Sequence, residues 1–252
     1  MKLYYRVLGH GAPMIIMHGV FGTCDNWITV SKNLAEHYQV FLLDLRNHGQ
    51  SPHSTEFSYE AMANDLSEFI ESHQLIRPII IGHSMGGKVA MKYAATFDNI
   101  SSLIVADIAP RFYKRHHDQI LNGLNALPLN KIKSRIEADE ILATYISELS
   151  VRQFLLKNLF RNDQGEFQWR LNLPVITKNI DIVGEAQVSE SRINIPTLFI
   201  KGEKSNYIRK EDEISIHQIF SNAKIVEISN AGHWVQAEEP LAFIDAVISF
   251  LK

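Results

Sequence analysis

Pro78-Ile79-Ile80-Ile81-Gly82-His83-Ser84-Met85-Gly86-Gly87-Lys88-Val89-Ala90-Met91-Lys92-Tyr93-Ala94-Ala95 is the stretch on which the reading of this chain turns. Its short β-branched apolar opening predicts a buried strand, and its Ala-, Met- and Lys-rich close predicts a helix. Between them stands Gly82-x-Ser84-x-Gly86. A serine at a sharp strand-to-helix turn projects its hydroxyl into a cleft, and flanking glycines are needed where a Cβ would meet neighbouring backbone. The turn also sets that hydroxyl at a helix N-terminus, where free N–H groups and the positive dipole end favour developing negative charge. The bare pattern arises by chance in about one chain of this length in ten. The strand before it and the helix after it carry the weight.

Working outward, residues 3–8 read as an edge strand and 14–17 as a short buried one running into His18-Gly19-Val20-Phe21-Gly22. A Gly-bearing loop after an early strand supplies one oxyanion N–H, and the residue after the nucleophile supplies the other, so Val20 and Met85 are the expected donors. Residues 26–37 read as a helix and 38–45 as a strand ending in a polar loop, where Asp44 and Arg46 are expected to pair and hold the loop shape. An amphipathic helix occupies 58–73, N-capped by Ser58, with Ala61, Met62, Leu66, Phe69 and Ile70 inward. After the helix of the opening stretch, residues 100–106 make another strand that delivers Asp107 at its carboxyl end. Strand and helix alternating at this spacing imply right-handed crossovers and a mostly parallel sheet with helices on both faces. Chemistry in such sheets gathers at the carboxyl ends of the strands, where Ser84 and Asp107 both fall.

Between 111 and 190 the alternation stops and helical periodicity takes over, which predicts a helical lid inserted in a core made of 1–110 and 191–252. Phe112, Tyr113, Phe154, Phe160, Phe167 and Trp169 of this segment are candidates for an acyl pocket or for packing. Phe112 and Phe160, together with Phe21 and Trp234 beside the site, are the expected substrate contacts. His116 and His117, adjacent in sequence, would diverge on a helix, make a poor metal pair and read as solvated. A strand at 196–200, a helix around 209–220 and a strand at 223–228 restore the alternation. Ser229-Asn230-Ala231-Gly232-His233-Trp234 is the final loop before a closing helix.

The 252 residues, 46% hydrophobic and 21% charged, suffice for one domain with a large core. A net charge of -3 leaves no basic footprint for nucleic acid. No apolar run approaches the roughly 20 residues needed to span a bilayer, and the first residues lack a signal-peptide h-region. With one cysteine, Cys24, no intrachain disulfide forms, and a soluble cytoplasmic protein is the expectation.

A serine hydroxyl needs a neighbouring base, and an imidazole serves best when a carboxylate fixes its tautomer. Among 11 histidines, His233 is favoured because its loop comes after the last strand, in the order Ser, Asp, His. His18 and His48 read as loop braces, His83 as pointing back to the sheet, and His217 as part of a helix.

Taken together, the runs His18-Gly19-Val20-Phe21-Gly22, Asp44-x-Arg46-Asn47-His48-Gly49-x-Ser51, Gly82 to Lys88, Asp107-Ile108-Ala109-Pro110, Gln153 to Lys157, Trp169-Arg170-Leu171-Asn172-x-Pro174 and Ala231 to Val235 resemble the α/β-hydrolases, and among them the bacterial YbfF-type esterases. The resemblance spans nearly the whole chain. It departs from the superfamily's commoner pattern at the acid, which usually comes after the penultimate strand; here Gly202-Glu203-Lys204-Ser205 has serine at that place. Asp107 is the alternative location, and the resemblance also points there; Glu203 and Asp212 compete, and Ser205 is the expected auxiliary.

The mechanism these residues imply is two-step acyl transfer on a small-molecule ester, with no metal or organic cofactor required. Thioester hydrolysis of acyl-CoA, carbon–carbon cleavage and perhydrolysis are rival chemistries on the same frame. A ligand receptor that kept the frame for binding is the rival outside catalysis.

Overall fold

The computed structural model describes residues 1–187 and 192–252. In chain order its strands are β1 (Tyr5–Leu8), β2 (Ala12–Met17), β3 (Tyr38–Leu43), β4 (Ile79–His83), β5 (Ser102–Ala106), β6 (Leu159–Arg161), β7 (Phe167–Trp169), β8 (Thr197–Gly202) and β9 (Ala223–Ile228). The helices are α1 (Ile28–Leu34), α2 (Tyr59–Ser72), α3 (Met85–Thr96), α4 (Asp118–Ala126), α5 (Arg135–Ala143), α6 (Leu149–Leu156), α7 (Leu173–Lys178), α8 (Asp212–Ile219), α9 (Val235–Glu238) and α10 (Pro240–Leu251).

Successive side chains of a strand point to opposite faces, so a strand that is apolar throughout needs a packed layer on each side. The central strands obey this rule. Met14, Ile16, Ile79, Ile81 and Ile104 pack with Trp27, Leu34, Phe243 and Val247 on the face covered by α1 and α10. Ile15, Met17, Ile80, Leu103 and Val105 pack with Leu66, Phe69, Val89 and Met91 on the face covered by α2 and α3. Each such fully buried side chain contributes about 1.5–3 kcal/mol. The seven-stranded sheet runs β1-β3-β2-β4-β5-β8-β9, parallel except where edge strand β1 meets β3. The mostly parallel sheet expected from the alternation is therefore present.

The turn from β4 into α3 is tight enough to exclude side chains at two glycines. A Cβ on Gly82 would stand 2.2 Å from the Gly86 carbonyl oxygen, and one on Gly86 would stand 2.6 Å from that of His18. Gly82→Ala is expected to destabilise the protein by about 3 kcal/mol or more, because the obstacle is backbone and cannot swing aside. Equilibrium urea unfolding, read as a lowered midpoint, checks this.

Between β5 and β8 lie α4 to α7 and a two-stranded hairpin, β6 paired antiparallel with β7. The hairpin departs from the wholly helical expectation: three-residue strands are too short to show a period, and the signal was the Asn162-Asp163-Gln164-Gly165 turn, with Gly165 at φ 79°. The boundary expected between 190 and 191 falls within 188–191, outside the described residues. At the neck of this segment, Tyr113 N–H donates to the Gly184 carbonyl at 2.8 Å and Gln187 N–H to that of Pro110 at 2.7 Å. Lys88, fully buried on α3, donates to the Val183 and Glu185 carbonyls, and burial pulls its pKa down to about 7. One turn beyond Ser84, it ties the neck to the helix that carries the elbow.

Candidate active site

Ser84 sits where β4 ends and α3 begins, with φ 51° and ψ −115°, a conformation that L-residues rarely adopt. Its N–H donates to the Ala106 carbonyl at 3.0 Å, which pins the strained turn to β5. Asp107 ends β5 and is also left-handed, at φ 48°, with its N–H bonded to the Ile200 carbonyl at 2.8 Å. That backbone turn directs a fully buried carboxylate across the top of β8. Oδ1 accepts the Gly202 N–H at 3.1 Å, while Oδ2 accepts both the Ser205 hydroxyl and His233 Nδ1–H, the latter at 2.8 Å.

His233 lies in the loop after β9. With Nδ1 donating to the carboxylate, Nε2 keeps its lone pair, the tautomer a general base requires. Ser84 and His233 line one cavity of about 790 Å³. No hydrogen bond joins the Ser84 hydroxyl to the His233 ring among the described residues. In free enzymes this bond is often long and tightens when substrate is bound.

Opposite Ser84, Phe21 at φ 62° gives the loop after β2 its sharp form. Phe21 N–H donates to His48 Nε2 at 3.3 Å, and its carbonyl accepts from Asn158 Nδ2 at 2.7 Å. His18 accepts the Leu45 N–H at Nε2 and donates from Nδ1 to the Gly19 carbonyl. Both histidines thus act as neutral braces. Among the described residues, the N–H groups of Val20 and Met85 have no protein partner. The expected pairing of Asp44 with Arg46 is not made. Asp44 accepts the backbone N–H groups of Cys24 and Gln50, whereas Arg46 turns to α2 and bonds both carboxylate oxygens of Asp65. The loop is braced, but by two separate networks.

Burial disfavours charge on both members of the acid–imidazole pair. It raises the Asp107 carboxyl to about 6, against the opposing bonds from Ser205 and Gly202, and it lowers His233 to about 3, with the charge of His116 adding to the effect. Above about pH 6 the carboxylate is ionised and the imidazole neutral, the state that can take a proton. kcat/KM for a p-nitrophenyl ester is therefore expected to fall as the pH drops through about 6; a profile flat down to about pH 5 would contradict this.

A model of the alpha/beta hydrolase fold family matches residues 12–240. The chain belongs to the α/β-hydrolase fold family. It is 35% identical to esterase YbfF of Escherichia coli over 96% of this chain and 94% of that protein. It is 36% identical to an sn-1-specific diacylglycerol lipase, ABHD11, of Danio rerio over 97% of this chain and 80% of that protein. Among solved structures, a marine microorganism esterase superposes with a TM-score of 0.97 at 42% identity, covering 99% of both chains. The protein is a carboxylic ester hydrolase of the YbfF type.

In this α/β-hydrolase, two of the four expected substrate contacts line the cavity: Phe21 and Trp234. The other two do not. Phe112 is 63% exposed at the neck, and Phe160, on β6, packs beneath the Arg170 guanidinium. Neither is among the residues that line the cavity, a placement that aromatic character alone does not reveal. Ile120, Ile146, Val151 and Phe154 supply the apolar wall instead.

His116 and His117 also line the cavity; His116 is exposed, as expected, whereas His117 is half-buried where solvent was expected. Burial lowers His117 to about 3, and its Nδ1 has no partner among the described residues. Tyr207 had no place in the sequence reading, yet its ring lies flat on His233. Its position two residues after Ser205 in a strand-end loop was the available signal.

Proposed function

We propose that this hydrolase cleaves acyl esters of short to medium chain length through an acyl-enzyme. Ser84 attacks the ester carbonyl, His233 takes its proton and passes it to the leaving alcohol, and the Val20 and Met85 N–H groups hold the oxyanion. Asp107 fixes the His233 tautomer and stabilises the imidazolium, with Ser205 bonded to the same carboxylate oxygen. Water then repeats the sequence on the acyl-enzyme. These steps use only side chains, backbone and water.

The observation that carries the proposal is the 2.8 Å contact from His233 Nδ1 to the buried Asp107, His233 lining the same cavity as Ser84. The segment from 111 to 190 serves as the lid, since its apolar side chains form one wall of that cavity. The cavity volume falls within the roughly 300–1,000 Å³ of small-molecule sites. We place the protein in the cytoplasm, free of nucleic acid; among the described residues no helix is long and apolar enough to cross a membrane.

A fluorophosphonate probe tests the nucleophile, and a p-nitrophenyl series from acetyl to palmitoyl, run beside acyl-CoA, tests the substrate. Labelling lost in Ser84→Ala and a maximum at the shorter esters are expected. Folded wild type that resists the probe would favour a receptor, and preference for acyl-CoA would favour a thioesterase.

A further inference from the structure

The Tyr207 ring lies on the His233 imidazole with centroids 3.7 Å apart and planes 14° from parallel. Tyr207 is itself held from three directions. Its N–H donates to Ser205 Oγ at 3.2 Å, the hydroxyl that bonds Asp107. Its carbonyl accepts the hydroxyl of Tyr113, a neck residue whose ring stacks on that of Tyr207, and its own hydroxyl meets His116 Nε2 at 2.6 Å. His83 also packs near His233, with ring centroids 4.6 Å apart, and donates from Nε2 to the His233 carbonyl.

An imidazole that bonds a carboxylate through one nitrogen can still swing about that bond. A flat partner, fixed at its own backbone and hydroxyl, removes this freedom and presents an electron-rich face to the charge that develops on the ring. Resting on the catalytic roles proposed above, we propose that Tyr207 is the positioning residue of His233: its ring is the plate that holds the imidazole in the plane from which Nε2 reaches Ser84. The contacts to Tyr113 and His116 make the neck of the lid part of that plate's support.

The test compares Tyr207→Phe, Tyr207→Trp and Tyr207→Leu in the full chain. The aromatic variants keep the plate and should retain kcat within about threefold. Leucine, apolar but smaller and unable to stack, should lower kcat about tenfold with KM little changed. The second readout is the downfield proton resonance of His233 Nδ1–H, expected to be sharp in wild type and both aromatic variants and broadened or shifted in Tyr207→Leu. This resonance reports the His233–Asp107 bond whether or not the protein turns over esters, so failure of the proposed function and failure of this inference are distinguishable. An unchanged resonance in Tyr207→Leu, or a kcat loss in Tyr207→Phe equal to that in Tyr207→Leu, would overturn it.

Discussion

Asp107→Asn should lower kcat by about 10⁴-fold, the loss seen when a triad acid becomes an amide, with the fold retained. The physical reason is the double load on Oδ2. That atom accepts from both Ser205 and His233, while Oδ1 is committed to the Gly202 N–H. An asparagine that keeps the Gly202 bond turns its NH₂ toward the His233 Nδ1–H, donor against donor, which breaks that contact and leaves His233 without the partner that sets its tautomer, while the Ser205 hydroxyl can turn to accept instead. Glu203 and Asp212 are no substitutes: the first accepts the Asn230 N–H, and the second pairs with Arg111. Glu203→Gln and Asp212→Asn should therefore stay within a few-fold of wild type. Ser205→Ala should cost much less than Asp107→Asn, but it removes a bond that holds the carboxyl down. The acid limb of kcat/KM should accordingly move to higher pH. Near-normal turnover in Asp107→Asn with collapse in Glu203→Gln would refute the assignment.

The second large effect is acid unfolding. His18, His48 and His83 are at most 4% exposed, and burial lowers them to about 4, 3 and 3. His18 and His48 also accept backbone N–H groups at Nε2, a bond that protonation abolishes. The unfolded chain takes up these protons near pH 6.5 and the native state does not, so stability is present above pH 6.5 and lost as the pH falls toward the folded values. These three remove about 4 kcal/mol by pH 5.5 and about 6 by pH 5, and His117 and His233, also lowered to about 3, add to the loss. Asp107, with its raised carboxyl, returns about 1 kcal/mol over the same range. Against a total stability of about 5–15 kcal/mol, cooperative unfolding is expected between about pH 4 and 5.5. Urea titrations at successive pH values should show stability rising by about 3 kcal/mol per pH unit or more there. A slope below about 1 kcal/mol per unit would show that these histidines charge within the native state. His48→Gln, which can keep both of that side chain's bonds without titrating, should reduce the slope by about one proton's share. Circular dichroism at each pH separates this transition from the activity loss that begins near pH 6.

These two effects draw on different depths of information. The elbow was legible because it is local: Gly82, Ser84 and Gly86 sit within five residues, and their need for space is a matter of adjacent backbone. The two-faced strands were legible for the same reason, since Ile79-Ile80-Ile81 can only be apolar throughout if both sides are covered. The mostly parallel sheet came from the spacing of those strands, and His233 was singled out by its place after the last of them.

Partnership across the sheet is another matter. Whether Asp107, Glu203 or Asp212 meets the imidazole depends on how the ends of β5, β8 and β9 are set side by side, and residues 107 and 233 are brought within 2.8 Å only by that arrangement. Arg46 was within easy reach of Asp44 along the chain, yet the fold offered it Asp65 with better geometry. Phe112 and Phe160 have the chemistry of a pocket wall but do not line the cavity, while Tyr207 and the His116-His117 pair are drawn onto the site by the neck. Local sequence thus determined which segments become strands, elbow and helices, because periodicity and steric need act over a few residues. Only the tertiary structure decided which side chains face one another, because hydrogen bonds and stacking are chosen by distance in space, and a strand's neighbours lie far away along the chain.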